Sequence, residues 1–195
     1  MTDIAKPMLD PQYPIETERL SLRPFKADDL DNLHRLQSLP EVVRYLRWGS
    51  RSRAEVAVEL EQRIHQSRIT AEDDILILAI TLRDSGALIG DVNLHLLSAD
   101  NLQGKFGFVL LPEYHGLGYG REAAMATLAL GFDQMGLHRI AGYCDTRNTP
   151  SARLMERLGM RREAHFRESS RSNGEWADLH IYAMLAAEWQ AGKAQ

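Results

Sequence analysis

The sequence predicts an α/β (α+β) fold, a mixed and mostly antiparallel twisted sheet flanked by helices. Apolar segments of strand length alternate with amphipathic segments of helix length in the order β-α-α-β-β-β-α-β-α-β-β. Two of the joints, Asp84-Ser85-Gly86 and Asn173-Gly174, are polar turns containing glycine, which favour hairpins. The chain's 195 residues, 44% of them hydrophobic, are enough for one domain with one sizeable core.

Residues 1–14 carry Pro7, Pro11 and Pro14 with little periodicity and read as a loose lead-in, so the domain is placed at 15–190 with a short tail at 191–195. Leu20 and Leu22 alternate with polar neighbours as a first strand that Pro24 stops. Asp28 and Asp29 make an acidic start for a short helix carrying Leu30, Leu33 and Leu36, which ends before Pro40. Ser52 and Glu55 form a capping box for a second helix, running to about Arg68, with Val56, Leu60 and Ile64 on one face. The β-branched run Ile75 to Ile80 is a central strand, and the turn at 84–86 leads into its partner, Ala87 to Leu97. After a polar break, Phe106 to Leu111 is a strand running into Pro112 to Gly120. A long helix follows, with Ala124, Leu128 and Phe132 four apart and Gly136 as its stop. The rest is a strand at His138 to Cys144, a helix from about Thr149 to Leu158, and two strands near 164–170 and 176–185.

The formal charge of −4 gives no basic stripe for a nucleic-acid backbone, so no nucleic-acid partner is expected. Cys144 is the only cysteine, which excludes an intrachain disulfide and fits a reducing cytoplasm. No apolar run approaches the roughly 18 residues of a membrane span, Met1 to Pro14 lacks the layout of a signal peptide, and the seven His residues show no metal-site spacing. A soluble protein without metal or membrane partner is the expectation.

Most of the chemistry lies in His115-Gly116-Leu117-Gly118-Tyr119-Gly120-Arg121, between a strand and a helix. Glycines there allow close backbone approaches, so several N–H groups can turn into one concavity at the positive end of the helix. That is an anion site sized for a diphosphate, although a glycine-rich turn also occurs for the turn alone. A P-loop would end in Gly-Lys-Ser/Thr, whereas Gly120 is followed by Arg121-Glu122. A dinucleotide fingerprint would use another glycine spacing and sit near the first strand.

The segment Tyr114 to Ala123 resembles the cofactor signature Gln/Arg-x-x-Gly-x-Gly/Ala of the GNAT superfamily of N-acetyltransferases, in the version of its ribosomal-protein N-terminal acetyltransferase branch. Asn148-Thr149-Pro150-Ser151 with Glu156 to Met160, the opening Glu16 to Pro24, and the close Ile181 to Leu185 with Glu188-Trp189 are similar to further landmarks of that branch, in the same order. The resemblance implies a GNAT-like acyl-CoA N-acyltransferase fold in which strands 106–111 and 138–144 splay apart. Acetyl-CoA would be the acyl donor. Its pantetheine would meet the backbone of Val109 and Leu111, and its diphosphate the N–H groups around His115, Gly116, Leu117, Gly118, Tyr119, Gly120 and Arg121, with Asn148 as a further contact. Acetyl would pass directly to a primary amine, foremost a protein N-terminal α-amine. Small-molecule amines (a polyamine, an aminoglycoside or an amino-nucleotide toxin) and a catalytically silent CoA-binding module stay open, and the resemblance is compatible with a homodimer.

This sequence departs from the pattern twice: His115 replaces the usual Gln, Arg or aromatic residue, and Lys105 stands where many relatives carry Glu. The general base is therefore open. Asp91 and His95 are the candidates, on the polar face of a strand where Asp91, Asn93 and His95 alternate with apolar residues, a face that also suits plain solvation. Ser151 would donate to the departing sulfur, and Asn148 and Ser151 equally fit a helix start. The run Glu72-Asp73-Asp74 reads as a solvated loop, Cys144 as buried rather than nucleophilic, and Trp48, Trp176 and Trp189 as core or interface.

Overall fold

The computed structural model describes residues 7–172 and 174–193. Its strands are β1 (Ile15–Glu16), β2 (Leu20–Pro24), β3 (Ile75–Leu82), β4 (Leu88–Ser98), β5 (Gln103–Leu110), β6 (Arg139–Asp145), β7 (Arg161–Ser172) and β8 (Glu175–Leu185). Its helices are α1 (Leu30–Ser38), α2 (Pro40–Val43), α3 (Arg53–His65), α4 (Tyr119–Ala129), α5 (Thr149–Arg157) and α6 (Ala186–Lys193). The strands form one sheet in the order β1-β2-β3-β4-β5-β6-β8-β7. Every pair is antiparallel except β5 beside β6, which gives the mixed, mostly antiparallel sheet expected.

Alternation along the strands sorts side chains onto two faces. On one face Leu76, Leu78, Val92, Leu94, Phe106 and Ile140 pack with Ala124 and Leu128 of α4 and Met155 of α5. On the other, Ile77 and Ala79 pack with Leu33 and Leu36 of α1 and Val56 and Leu60 of α3. Helices thus cover the sheet on both sides. The capping box forms at the start of α3: Glu55 N–H donates to Ser52 Oγ at 3.3 Å and Ser52 N–H donates to Glu55 Oε2 at 2.8 Å. That helix stops at His65, short of the expected Arg68.

Several elements differ from expectation. The acidic start of the first helix is a 3₁₀ turn, Ala27–Asp29, and Asp29 turns back to accept from the Arg23 guanidinium at 2.7 and 2.8 Å. Of the lead-in, residues 7–14 are described and are fastened, not loose: Leu9 is buried and exchanges backbone hydrogen bonds with Ile69 at 2.9 and 2.8 Å. A single anchoring leucine among prolines leaves no periodic signal. Helix α6 was not expected either; Trp189 buries itself there, stacks on Phe132 at 5.6 Å and donates to Asp133 at 2.9 Å. Helix α4 continues as a π-helical turn, Leu130–Gln134, where a side chain on Gly131 would come within 2.5 Å of Ile140 Cδ1. In the last hairpin Gly174 takes φ +85°, whereas Asn173 lies outside the described residues, as do residues 1–6 and 194–195. Among the described residues no helix is long and apolar enough to cross a membrane.

Candidate active site

The one parallel pair in the sheet opens part way along. β5 and β6 are in register only from Gln103 opposite Arg139 to Phe106 opposite Gly142. Beyond that point each strand continues on its outer neighbour alone. Gly107 to Leu110 stay paired with Asn93 to Gly90 of β4, and Tyr143 to Asp145 with Ile181 to Leu179 of β8. The backbone groups facing the opening have no strand opposite them, which is costly unless water or a ligand meets them.

On the α4 side the opening ends in the glycine loop. Gly116 and Gly118 take φ of +75° and +88°, the left-handed region that glycine alone enters without strain. The first backbone bond into α4 is Glu122 N–H to Gly118 O at 3.1 Å, so the N–H groups of Tyr119, Gly120 and Arg121 precede the helical ladder. A Cβ on Gly120 would sit 3.2 Å from Leu110 and 3.3 Å from Leu154, which brings the end of β5, the start of α4 and the face of α5 against one another. The loop is braced from outside. Arg19 donates to Leu117 O at 2.9 Å and to Glu122 at 2.8 Å, while Thr17 donates to Glu122 at 2.6 Å. Partial burial pulls the Glu122 carboxyl upward, but these hydrogen bonds and the Arg19 charge outweigh it and hold the group below the ordinary glutamate value. From inside, His115 Nε2 lies 3.0 Å from Leu110 O. A carbonyl only accepts, so the ring proton belongs on Nε2. A backbone cradle at a helix start, opening onto a strand gap, fits the diphosphate and pantetheine of a CoA thioester.

The other side of the opening is a cavity of about 260 Å³ whose lining includes Arg47, Asn93, Lys105, Tyr143, Asp145 and Ser170. Its roof is the segment after α2, pinned where Ser172 Oγ donates to Leu46 O at 2.7 Å. Asn93 lies over Gly107, where a Cβ would be 3.0 Å from its side-chain nitrogen. The Lys105 ammonium stands over the Tyr143 ring, 5.6 Å from its centroid. Burial, and then the Arg47 charge, push the Lys105 ammonium below its ordinary value. Asp145 is the carboxylate in this lining, and Arg147 takes both its oxygens at 3.0 and 2.7 Å.

The sequence candidates divide. Ser151 sits at the first turn of α5, its N–H donating to Asn148 Oδ1 at 3.2 Å, so Asn148 is the helix cap. Ser151 lies three residues before Leu154, hence on the helix face that meets Gly120 and Leu110. The Leu111 N–H donates to Ile89 O of β4 at 2.9 Å. The Leu110 carbonyl, across the same planar peptide, points away from β4 into the opening. Val109 stays paired with Asp91. Asp91 is 4% exposed and paired with the buried Arg63 at 2.9 Å. Alternation put Asp91 on a polar strand face; nothing local could reveal that α3 lays an arginine on it. His95 lies opposite Lys105, below the point of opening, with Asp73 at 3.7 Å. Burial and the Lys105 charge lower its ordinary value. In the acidic loop, Glu72 accepts from Ala99 N–H of the β4–β5 turn at 2.7 Å, and Asp74 caps its own turn by accepting from Thr70 N–H at 2.7 Å. Cys144 is buried, its thiol pushed up to about 11 by burial and by Asp145 and Glu156. Trp176 is exposed and Trp48 lies under Arg51 at 4.4 Å.

A sheet opened between two parallel strands, with a backbone cradle at the following helix, defines the acyl-CoA N-acyltransferase class of fold. Residues 19–161 match the acetyltransferase (GNAT) domain model, and the chain belongs to that family. It is 33% identical over 175 residues to the N-acetyltransferase YnaD of Bacillus subtilis, covering 90% of this chain and 98% of that one. The crystal structure of a GNAT-family acetyltransferase from Bacillus anthracis superposes with a TM-score of 0.79 at 32% identity, over 89% of this chain and 98% of that one. Spermidine N-acetyltransferase from Vibrio cholerae, solved with CoA and spermine, shares the fold with a TM-score of 0.76 at 22% identity, over 89% and 99% of the chains. The protein is thus a GNAT-type, acetyl-CoA-dependent acetyltransferase. Its relatives carry both ribosomal and polyamine names, so the ribosomal branch expected from the sequence is not singled out.

Proposed function

We propose that this acetyltransferase acts on a protein N-terminal α-amine rather than on a polyamine. One observation carries this reading: the acceptor cavity presents Lys105 and Arg47, while its carboxylate, Asp145, is neutralised by Arg147. A polycation entering there meets like charge. An α-amine, with an ordinary pKa of about 7.7–8.0 against about 10.4 for an alkylamine, is substantially neutral near pH 7.5. Neighbouring cations and desolvation favour the neutral, nucleophilic form further. Such an acceptor needs no strong base, in keeping with an Asp91 committed to Arg63.

The donor supplies an acetyl group activated on sulfur; a nitrogen–carbon bond forms as the carbon–sulfur bond breaks. The chain's part is to hold and polarise. The N–H groups of Gly116 to Arg121 bind the diphosphate. The amide of Leu110, on the open side of β5, supports charge on the acetyl oxygen in place of Leu111, with Val109 shaping the wall. Ser151 Oγ gives a hydrogen bond to the leaving sulfur, and the amine's surplus proton leaves through water in the cavity.

The test is thiol release from acetyl-CoA with N-terminal peptides and spermidine as rival acceptors. Peptides are expected to turn over faster, with mass spectrometry locating acetyl on the α-amine; faster turnover of spermidine would overturn the reading.

A further inference from the structure

The acceptor cavity also carries information about what lies beside the amine. Lys105 is partly enclosed on β5, and neither it nor Arg47 forms an ion pair with a carboxylate among the described residues. The opposing position on β4 is His95, and the one on β6 is Ala141, so neither residue directly opposite Lys105 is an anion. The nearest ring, Tyr143, offers only its face to the ammonium. An unpaired ammonium pressed out of water beside a guanidinium is unfavourable by itself, and an incoming anion relieves it. The Lys105 ammonium, already pushed below its ordinary value, has the same origin. The opposite arrangement exists in the same lining: Asp145 has its guanidinium supplied by the chain. The cavity therefore has one unanswered sign.

We infer that the acceptor carries an anionic oxygen group within about one residue of its amine, held by Lys105 with Arg47. For a polypeptide this is an Asp or Glu side chain at the first or second position. A free amino acid would offer its own α-carboxylate instead, and the choice of acceptors distinguishes the two sources. The inference rests on the acetyl-transfer reading above and narrows it to acidic N-termini.

The experiment uses the full chain with four acceptors: peptides beginning Ser-Glu and Ser-Lys but otherwise identical, free glutamate, and spermidine. Each is titrated calorimetrically into the enzyme–CoA complex and assayed for thiol release with acetyl-CoA. Ser-Glu is expected to exceed Ser-Lys about tenfold in both binding and kcat/KM, the size of one partly desolvated charge pair. Lys105→Glu is expected to reverse that order, while Lys105→Met abolishes the preference; retained CoA binding shows that each variant is folded. Equal use of the two peptides, or preference for Ser-Lys, overturns the inference while leaving acetyl transfer intact. Glutamate outperforming Ser-Glu assigns the anion to a free amino acid and overturns the polypeptide source. If nothing is acetylated, the transfer reading fails, and the binding titrations still decide whether the cavity prefers an anion.

Discussion

The two sides of the opening are made of different material. The donor side is backbone: glycines at positive φ, the first amides of α4 and the unpaired edge of β5, all within residues 107–121. The acceptor side is side chains gathered from Arg47, Asn93, Lys105, Tyr143 and Ser170, residues far apart in the chain. A backbone site is written locally and stays the same for every donor of its kind. A side-chain site is rewritten by single substitutions, and that is where the specificity of one enzyme within a shared fold resides.

The largest effect expected on this contrast comes from beneath the acceptor side. Asp91→Ala leaves Arg63 buried without its main partner, and about 3–5 kcal/mol of stability should be lost, on the order of 10 °C in melting temperature. The double variant with Arg63→Met should recover most of it by calorimetry. An undiminished melting temperature with a collapsed kcat would return Asp91 to the role of base. On the donor side, Gly120→Val forces a branched side chain against Leu110 and Leu154, and CoA affinity should fall by roughly ten- to a hundredfold, about 1–3 kcal/mol.

Ser151→Ala should come next, lowering kcat about tenfold with little change in melting temperature, because the helix cap is Asn148. Asn148→Ala should do the reverse and cost about 1 kcal/mol of stability. Acid gives the smallest effect. The Glu122 carboxyl is depressed in the folded protein, so its contribution is complete above the ordinary value of about 4.3 and is lost as pH falls through the lower folded value. CoA affinity measured by titration should decline in that window, and Glu122→Gln should flatten the decline.

The same division explains what the sequence could tell. The capping box at Ser52, the hairpin turn near Gly86 and the glycine loop are short-range devices, and each is found where residue order put it. The point at which β5 leaves β6 has no local mark of its own; the last pair is Phe106 with Gly142, where a Cβ would lie 2.8 Å from the ring. The family resemblance implies backbone contacts at Val109 and Leu111, and only the bond to Ile89 shows which way the Leu111 amide turns. Lys105 was legible as a departure from its relatives. Its meaning needed Arg47 and the neutralised Asp145, which three-dimensional packing alone brings beside it.

A sheet that opens between two of its inner strands behaves as though a strand had been withdrawn. Each lip is kept straight by β4 or β8, so the slot cannot zip shut without sliding an entire half-sheet. Rigidity of this kind spares the donor the work of prising the site open, and it makes the slot an always-available socket for an extended chain. Amide exchange should register the difference: those amides of 107–110 and 143–145 that face the opening ought to exchange readily in the apo-protein and slow together once CoA is seated, with the rest of the sheet barely changed.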